Sequence, residues 1–327
     1  MIIAQSVTAG WNSYCQYGYE TTYGTAPASY PKVFGHGTKI TVSRKNNGEA
    51  IYGLGSRNAT ASVAKKYEGS VSVEYFLSNA TFLRAVLGAV DGGSGGGPYT
   101  HTYTEANVLP SFGIADGAEL GTNDQVSAYL GCKVDTCTIT AAVNEMVKVR
   151  LECPYKTETL ATSGIGSQVA QPESPFMFAE GNVELPNGTV IGNVQSVELT
   201  ISNSLEMIYG LGSRFATAGV AKNRKYALKM TVAFSQNTDL LTKFLGDTAA
   251  PSSGTPAETA TVDLVFTNGL STTSERTIHI TLANVFLDAE TLPKDVNEII
   301  KEDVEGWARS ASSVTWTNNT ALDNSSP

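Results

Sequence analysis

The sequence is poor in the residues from which most active sites are built. Its 327 residues include three histidines, His36, His101 and His279, far apart and in no shared motif. No acid-base pair or His-based metal site is therefore expected, and each reads as a strand or turn residue. Four cysteines, Cys15, Cys132, Cys137 and Cys153, are too few for a disulfide scaffold and lack CxxC spacing; they read as buried, reduced thiols. Cys132 and Cys137 would point to opposite faces of a single strand, against a mutual bridge. Charged residues make up 16% and the net charge is −9, which excludes tight nucleic-acid binding by counterion release but suits transient passage of a polyanion. No run of about 18 apolar residues occurs, and MIIAQSVTAGWNSY lacks the basic and apolar regions of an export signal. The expectation is synthesis in the cytoplasm and no membrane partner.

What is abundant is Thr, Ser, Val, Tyr and Gly, the composition of strands and turns, so the fold class is mainly β. The chain also repeats itself. IYGLGSRNATASVAK at 51–65 and IYGLGSRFATAGVAK at 208–222 agree at 13 of 15 positions, 157 residues apart. The likeness extends outward: a strand precedes each copy, a strand and an Asn-initiated helix follow, DGGSGGGP at 91–98 answers DTAAPSSGTP at 247–256, and VNEMVKV at 143–149 answers VNEIIKE at 296–302. Two tandem domains follow, 1–165 and 166–327, joined through the Gly, Ser, Gln and Pro-rich stretch 163–175.

In chain order, residues 1–34 are rich in Tyr and Gly and read as an extended surface arm. KITVSRK at 39–45 alternates strictly and predicts a half-buried strand. The repeated segment, 47–66, predicts a long ordered loop or hairpin. SVSVEYFLS at 70–78 resumes alternation, after which Asn79 is expected to cap a helix through Phe82, Leu83, Val86 and Leu87 that Gly88 ends. In the second copy, Asn237 begins the equivalent helix through Leu240, Leu241, Phe244 and Leu245. Strands are expected around LPSFGIADGA, at 129–140 and at 146–153, and LPNGT at 185–189 marks a hairpin. The tail from about Ser310 is polar, with a loose end.

GLGSR is not a phosphate loop: the third glycine of GxGxxG, a P-loop Lys-Ser/Thr and a βαβ context are all missing. Lys65, Lys66, Lys222, Arg224 and Lys225 follow the repeated segments and read as a solvated or salt-bridged face. Glu145 and Glu298 occupy equivalent repeat positions and read as symmetry, not as an acid and base couple. The repeated segment itself, with Tyr and Arg retained amid diverged sequence, reads as an intermolecular contact.

Taken in series, GYETTYGTAP, HTYTEANVLPSFGI, PFMFAEGNVELPNG and VQSVELTISNSLEMIYG resemble the tail tube proteins of long-tailed phages and tailed archaeal viruses over nearly the whole chain. The resemblance implies two tail-tube-like β-sandwich domains, each with one short flanking helix and a long inter-strand loop. It implies a structural virion protein, not an enzyme and without cofactor or metal, whose three copies imitate a six-fold ring. Stacked rings would form a hollow tube for viral DNA, with tape measure and tail terminator or baseplate proteins as partners. Tyr52, Leu54, Arg57, Tyr209, Leu211 and Arg214 become ring-stacking candidates, with Asn58 against Phe215 as the point where the copies meet unequal partners. A closed ring also pairs edge strands that would otherwise invite aggregation. Its channel wall would be polar and neutral to acidic, drawn from Lys39, Thr41 and Ser43, from Ser72 and Glu74, from Lys148, Arg150 and Glu152, and from Glu198, Thr200 and Ser202. Two other readings compete: a duplicated β-sandwich binding module such as an adhesin or receptor-binding tail protein, and the inner tube of a contractile injection apparatus.

Overall fold

The computed structural model describes residues 10, 13–93, 97–118, 124–161, 169, 171, 173–185, 189–233, 244–246, 251, 254, 261–270, 274–295 and 299–319. The first part of the chain forms β1 (Ser13–Tyr19), β2 (Lys32–Val33), β3 (His36–Lys45), the hairpin β4 (Gly48–Tyr52) and β5 (Ala59–Ala64), and β6 (Glu68–Phe76). The short helix α1 (Leu83–Leu87) leads to β7 (Gly88–Asp91), β8 (Tyr99–Glu105), β9 (Phe112–Ala118) and β10 (Gln125–Cys132). Next come β11 (Thr136–Ala142), β12 (Lys148–Tyr155) and β13 (Thr157–Ala161). The second part forms β14 (Gly181–Leu185), β15 (Thr189–Val190), β16 (Val194–Ser202), the hairpin β17 (Glu206–Tyr209) and β18 (Ala216–Val220), and β19 (Lys225–Ala233). It ends with β20 (Val262–Thr267), β21 (Thr277–Thr291) and β22 (Lys301–Asn318).

One long antiparallel sheet runs β15-β14-β20-β21-β22-β19-β16-β11-β12-β6-β3, and a five-stranded sheet, β13-β10-β9-β1-β2, stands apart from it. Alternating apolar residues make the inner faces: Val71, Val73 and Tyr75 on β6, Val149 and Leu151 on β12, Leu199 and Ile201 on β16, and Leu228 and Met230 on β19 are all buried. Tyr17, Phe34, Phe112 and Ile114 pack against them from the five-stranded layer, with Tyr17 stacked on Phe34 at 4.6 Å. Each such side chain removed from water contributes roughly 1.5–3 kcal/mol.

The strand pairings in the two parts follow the same plan. Phe76 lies opposite Lys148 and Gly69 opposite Tyr155; 157 and 153 residues later, Ala233 lies opposite Lys301 and Tyr226 opposite Ala308. Lys45 pairs with Glu68 as Ser202 pairs with Lys225. The parts then join edge to edge, since β11 pairs with β16 over seven residues from Thr136↔Ser202 to Ala142↔Ser196. β8 crosses the other way and pairs with the end of β22. Asn203 ties the joint from inside: buried, its Nδ2 donates to the carbonyls of Val86 and Val134 (both 3.1 Å), and its Oδ1 accepts from Arg224 Nε at 3.0 Å.

Four expectations change. Residues 13–19 are not a surface arm: β1 pairs with β9 along seven residues and buries Tyr17 and Tyr19, because the tyrosines bring area that only a sheet interior can cover. The 129–140 segment is two strands, so Cys132 and Cys137 lie on β10 and β11, both buried, with no shared-strand geometry between them. Asn79 does not cap α1; its Oδ1 accepts from Thr81 N (3.1 Å) and Oγ1 (2.7 Å), and its Nδ2 donates to Phe34 O (3.2 Å). Phe82 takes the cap position without a side-chain bond, and Gly88 ends the helix at φ 119°. Finally, the polar stretch from Ser310 continues β22 and buries Val314, Trp316 and Asn318. Most of the second helix, Glu298, the turn of LPNGT, most of the 163–175 linker and the last eight residues lie outside the described residues.

Replacing Asn203 by Ala leaves two buried carbonyls and the Arg224 guanidinium short of a partner. Chemical denaturation should show a loss of about 1–3 kcal/mol, and an unchanged midpoint would remove Asn203 from its role at the joint.

Candidate assembly surfaces

Along an antiparallel sheet, directly opposed residues share a face. Following the register across the long sheet, Lys39, Thr41 and Ser43 lie opposite Glu74, Ser72 and Ser70. Glu74 and Ser72 lie opposite Arg150 and Glu152. Lys148, Arg150 and Glu152 oppose Thr140, Thr138 and Thr136, which in turn oppose Glu198, Thr200 and Ser202. All eleven residues expected to line a channel thus occupy one continuous face, which continues through Lys229 and Thr231 to Glu305 and Asp303. The opposite face is the apolar interior.

This face is close to electrical balance. Its basic residues, Lys39, Lys45, Lys148, Arg150, Lys225, Lys229 and Lys301, are matched by Glu68, Glu74, Glu152, Glu198, Asp303 and Glu305. Several are paired on the surface: Arg150 with Glu152 at 2.7 Å, Lys229 with Glu305 at 2.7 Å, and Ser72 Oγ donates to Glu152 at 2.9 Å.

The repeated segments form the hairpins β4-β5 and β17-β18, alike in internal geometry. Gly55 and Gly212 turn at φ 86° and 88°, a conformation that favours glycine. Thr60 and Thr217 donate to the carbonyls of Ile51 and Ile208 at 3.2 and 3.1 Å, and a bulge follows Ile51 and Ile208 alike. At the tips Leu54 and Leu211 are fully exposed. The basic residues beneath are ion-paired: Lys65 with Glu49, Lys222 with Glu206, and Lys66 with Glu68.

The other stacking candidates divide. Tyr209 and Arg214 lie against the first part of the chain. Tyr209 donates through its hydroxyl to Tyr67 O at 3.0 Å, and Arg214 donates to Lys65 O and to Asn46 Oδ1, both at 2.7 Å. Tyr52 and Arg57 are exposed at the same positions of the first hairpin.

Among the strand edges left open in the described residues, two correspond to the joined pair β16 and β11. β3 pairs only with β6, and residues 285–291 of β21 pair only with β22. Ile40 and Val42 on β3 are half-buried, whereas their counterparts Val197 and Leu199, covered by β11, are buried. At the other open edge Glu290 lies opposite Val304 and Glu302 opposite Val232, on the inward face. The equivalent positions in the first part are Cys137 and Val149. Burial first, and the neighbouring Glu290 charge second, raise the Glu302 carboxyl above the ordinary glutamate range.

The three histidines do not converge. His36 meets the Glu173 carbonyl at 2.8 Å, His101 meets Asn318 at 3.1 Å and His279 meets Asp263 at 2.9 Å, each in a different part of the fold. Among the described residues no three His, Cys, Asp or Glu side chains come together in a metal-binding group, and no helix is long and apolar enough to cross a membrane. Three of the thiols are buried and Cys15 is half-buried; burial raises all four above the usual cysteine range.

A family model described as phage tail tube protein matches residues 10–317. No curated protein matches the sequence.

The raised Glu302 carboxyl gives stability that is complete below the unfolded glutamate pKa and lost as pH rises through the folded value. In the isolated chain, Glu302→Val should therefore raise the thermal midpoint by a few degrees at pH 7 and hardly at all at pH 4. An equal shift at both pH values would show that carboxylate burial is not the cause.

Proposed function

The chain belongs to the phage tail tube protein family and is a structural component of the virion; on that premise we propose that three copies close into a pseudo-six-fold ring and that rings stack into a hollow tube conducting viral DNA. Each chain supplies two tail-tube-like β-sandwich domains, 1–165 and 166–327. The observation that carries the reading is the joint between the two parts. β16 and β11 meet edge to edge inside the chain, and their counterparts, β3 and the end of β21, are each open on the corresponding side. A chain that carries one such joint internally and both halves of another at its ends polymerises laterally, and closure into a ring removes the exposed edges.

Transferring the β16·β11 register onto the open edges sets Arg44 opposite Glu290, Ser43 opposite Thr291 and Val42 opposite Leu292. These pairs are complementary in kind. Where the internal joint has Ile201 beside Cys137, the joint between chains has Arg44, which also binds Glu158 of its own chain at 2.8 Å, beside Glu290, so the two edges carry opposite charges. Leu292 and Val42 restore the apolar cover that β3 lacks.

In such a ring the continuous polar face lines the channel. A wall of near-balanced charge, already paired within itself, offers DNA phosphates neither a dense cationic surface nor strong repulsion. The exposed leucines, Leu54 and Leu211, project from the hairpin tips as the contacts between successive rings. Tape measure and tail terminator or baseplate proteins complete the assembly as partners.

Negative-stain microscopy of the purified protein should show three-subunit rings or hollow filaments; a monomer at every concentration would sink the reading. The register is tested by Ser43→Cys with Thr291→Cys: mild oxidation should give a covalent closed trimer on a non-reducing gel. Cross-linking that succeeds only for Ser43→Cys with a cysteine at Pro293 would mean that the strands pair two residues out of the expected alignment.

A further inference from the structure

The hairpins are the same inside and different outside. Ala216 of the second is 1% exposed, while its counterpart Ala59 is exposed; Gly219 is buried, while Ser62 is exposed. The cover comes from the first part of the chain, on the flank of the hairpin and not at its tip. Arg214 and Tyr209 bind the backbone of residues 65 and 67, Tyr67 N donates to Arg214 O at 2.8 Å, and Lys133 Nζ donates to Gly219 O at 2.8 Å.

The two positions at which the 15-residue repeats differ both lie in this contact. Phe215 packs its ring against Tyr67 at 5.7 Å, and a side chain added at Gly219 would press on Met207 and Lys133 at 3.3 and 3.4 Å. Their counterparts are Asn58 and Ser62, and the residue 157 positions after Tyr67 is Arg224. The outer joint thus lacks the aromatic pair, and Arg224 in the place of Tyr67 is held by Asn203, Glu105 and the Leu87 and Ala106 carbonyls of its own chain.

We propose that the flank of the first hairpin docks onto residues 222–224 of a second copy of this chain in the same ring. Arg57 donates to the Lys222 carbonyl and Tyr52 to the Arg224 carbonyl, each as its counterpart does within the chain, while the Arg224 side chain stays bound to Asn203, Glu105 and the Leu87 and Ala106 carbonyls of its own chain. Tyr52 and Arg57 therefore hold neighbouring chains side by side; they are not ring-to-ring contacts, a function left to Leu54 and Leu211. Charged and aromatic residues at a small, preformed contact are the ones whose loss costs most. The proposal rests on the ring reading but makes a separate claim within it.

Photo-cross-linking of assembled full-length protein tests it, with Tyr52→p-benzoylphenylalanine and mass spectrometry of the products. Cross-links to the peptide holding residues 222–224 of another chain, formed in isolated rings as well as in tubes, are the expected result. Cross-links that form only in tubes, to hairpin tips of another ring, would overturn the docking and leave the ring intact. Failure of the wild-type protein to form any ring would overturn both. A second variant, Arg57→Glu, should fold by circular dichroism and raise the concentration for half-maximal ring formation about tenfold. Rings that form at the wild-type concentration would remove Arg57 from the joint.

Discussion

The antiparallel ladder between β11 and β16 holds the rest of the molecule in place. Seven opposed residue pairs merge what would be two sheet edges into one uninterrupted sheet. Because side chains alternate along every strand, that ladder also fixes which residues face the interior and which face outward across its whole width. A slip of one residue would turn Ile201 and Leu199 outward and bring Thr200 and Glu198 into the core. Burial of the apolar residues on both sides therefore sets the register of the polar face as firmly as it sets the core.

The same joint shows how a repeated chain assigns different tasks to nearly identical residues. Arg214 is held at 2.7 Å by two oxygens of the first part, while Arg57, in a hairpin of matching turn geometry, is exposed. The difference lies in position, not in local sequence. The second hairpin has a neighbour on its flank within the chain; the first stands at the end of the chain's own sheet. Ring closure is the proposed way in which the first hairpin gains an equivalent neighbour. The altered residues, Asn58 and Ser62 against Phe215 and Gly219, then reflect two joints of one kind that are not chemically identical.

Much of this was legible in the residues. Strict alternation in KITVSRK, SVSVEYF, MVKVRLEC and VQSVELTIS predicted β3, β6, β12 and β16 and the polar side of each, because a period of two is imposed by the pleat. The repeated GLGSR predicted an ordered hairpin, and Gly55 and Gly212 at positive φ give a local reason for part of its identity. Other features were hidden. Tyr-rich β1 resembled a surface arm, since tyrosine is equally at home at an interface and in a core. The end of β22 resembled a polar tail, because its outward residues are Ser and Thr and its pairing with β21 carries a bulge. Asn79 looked like a helix cap, yet its side chain closes a turn on Thr81 and reaches Phe34 instead.

The sequence alone determined the strands, the repeat, the scarcity of catalytic groups and the acidic balance, all of which follow from local period and composition. Only the tertiary structure decided that eleven polar residues from four strands share one face, that β3 and the end of β21 stay open on one side, and that one hairpin is covered while its twin is bare. Those depend on which strands lie side by side and in what register. That residues as far apart as Lys39 and Glu305 share one face emerges only when strands from both parts are hydrogen-bonded into one sheet.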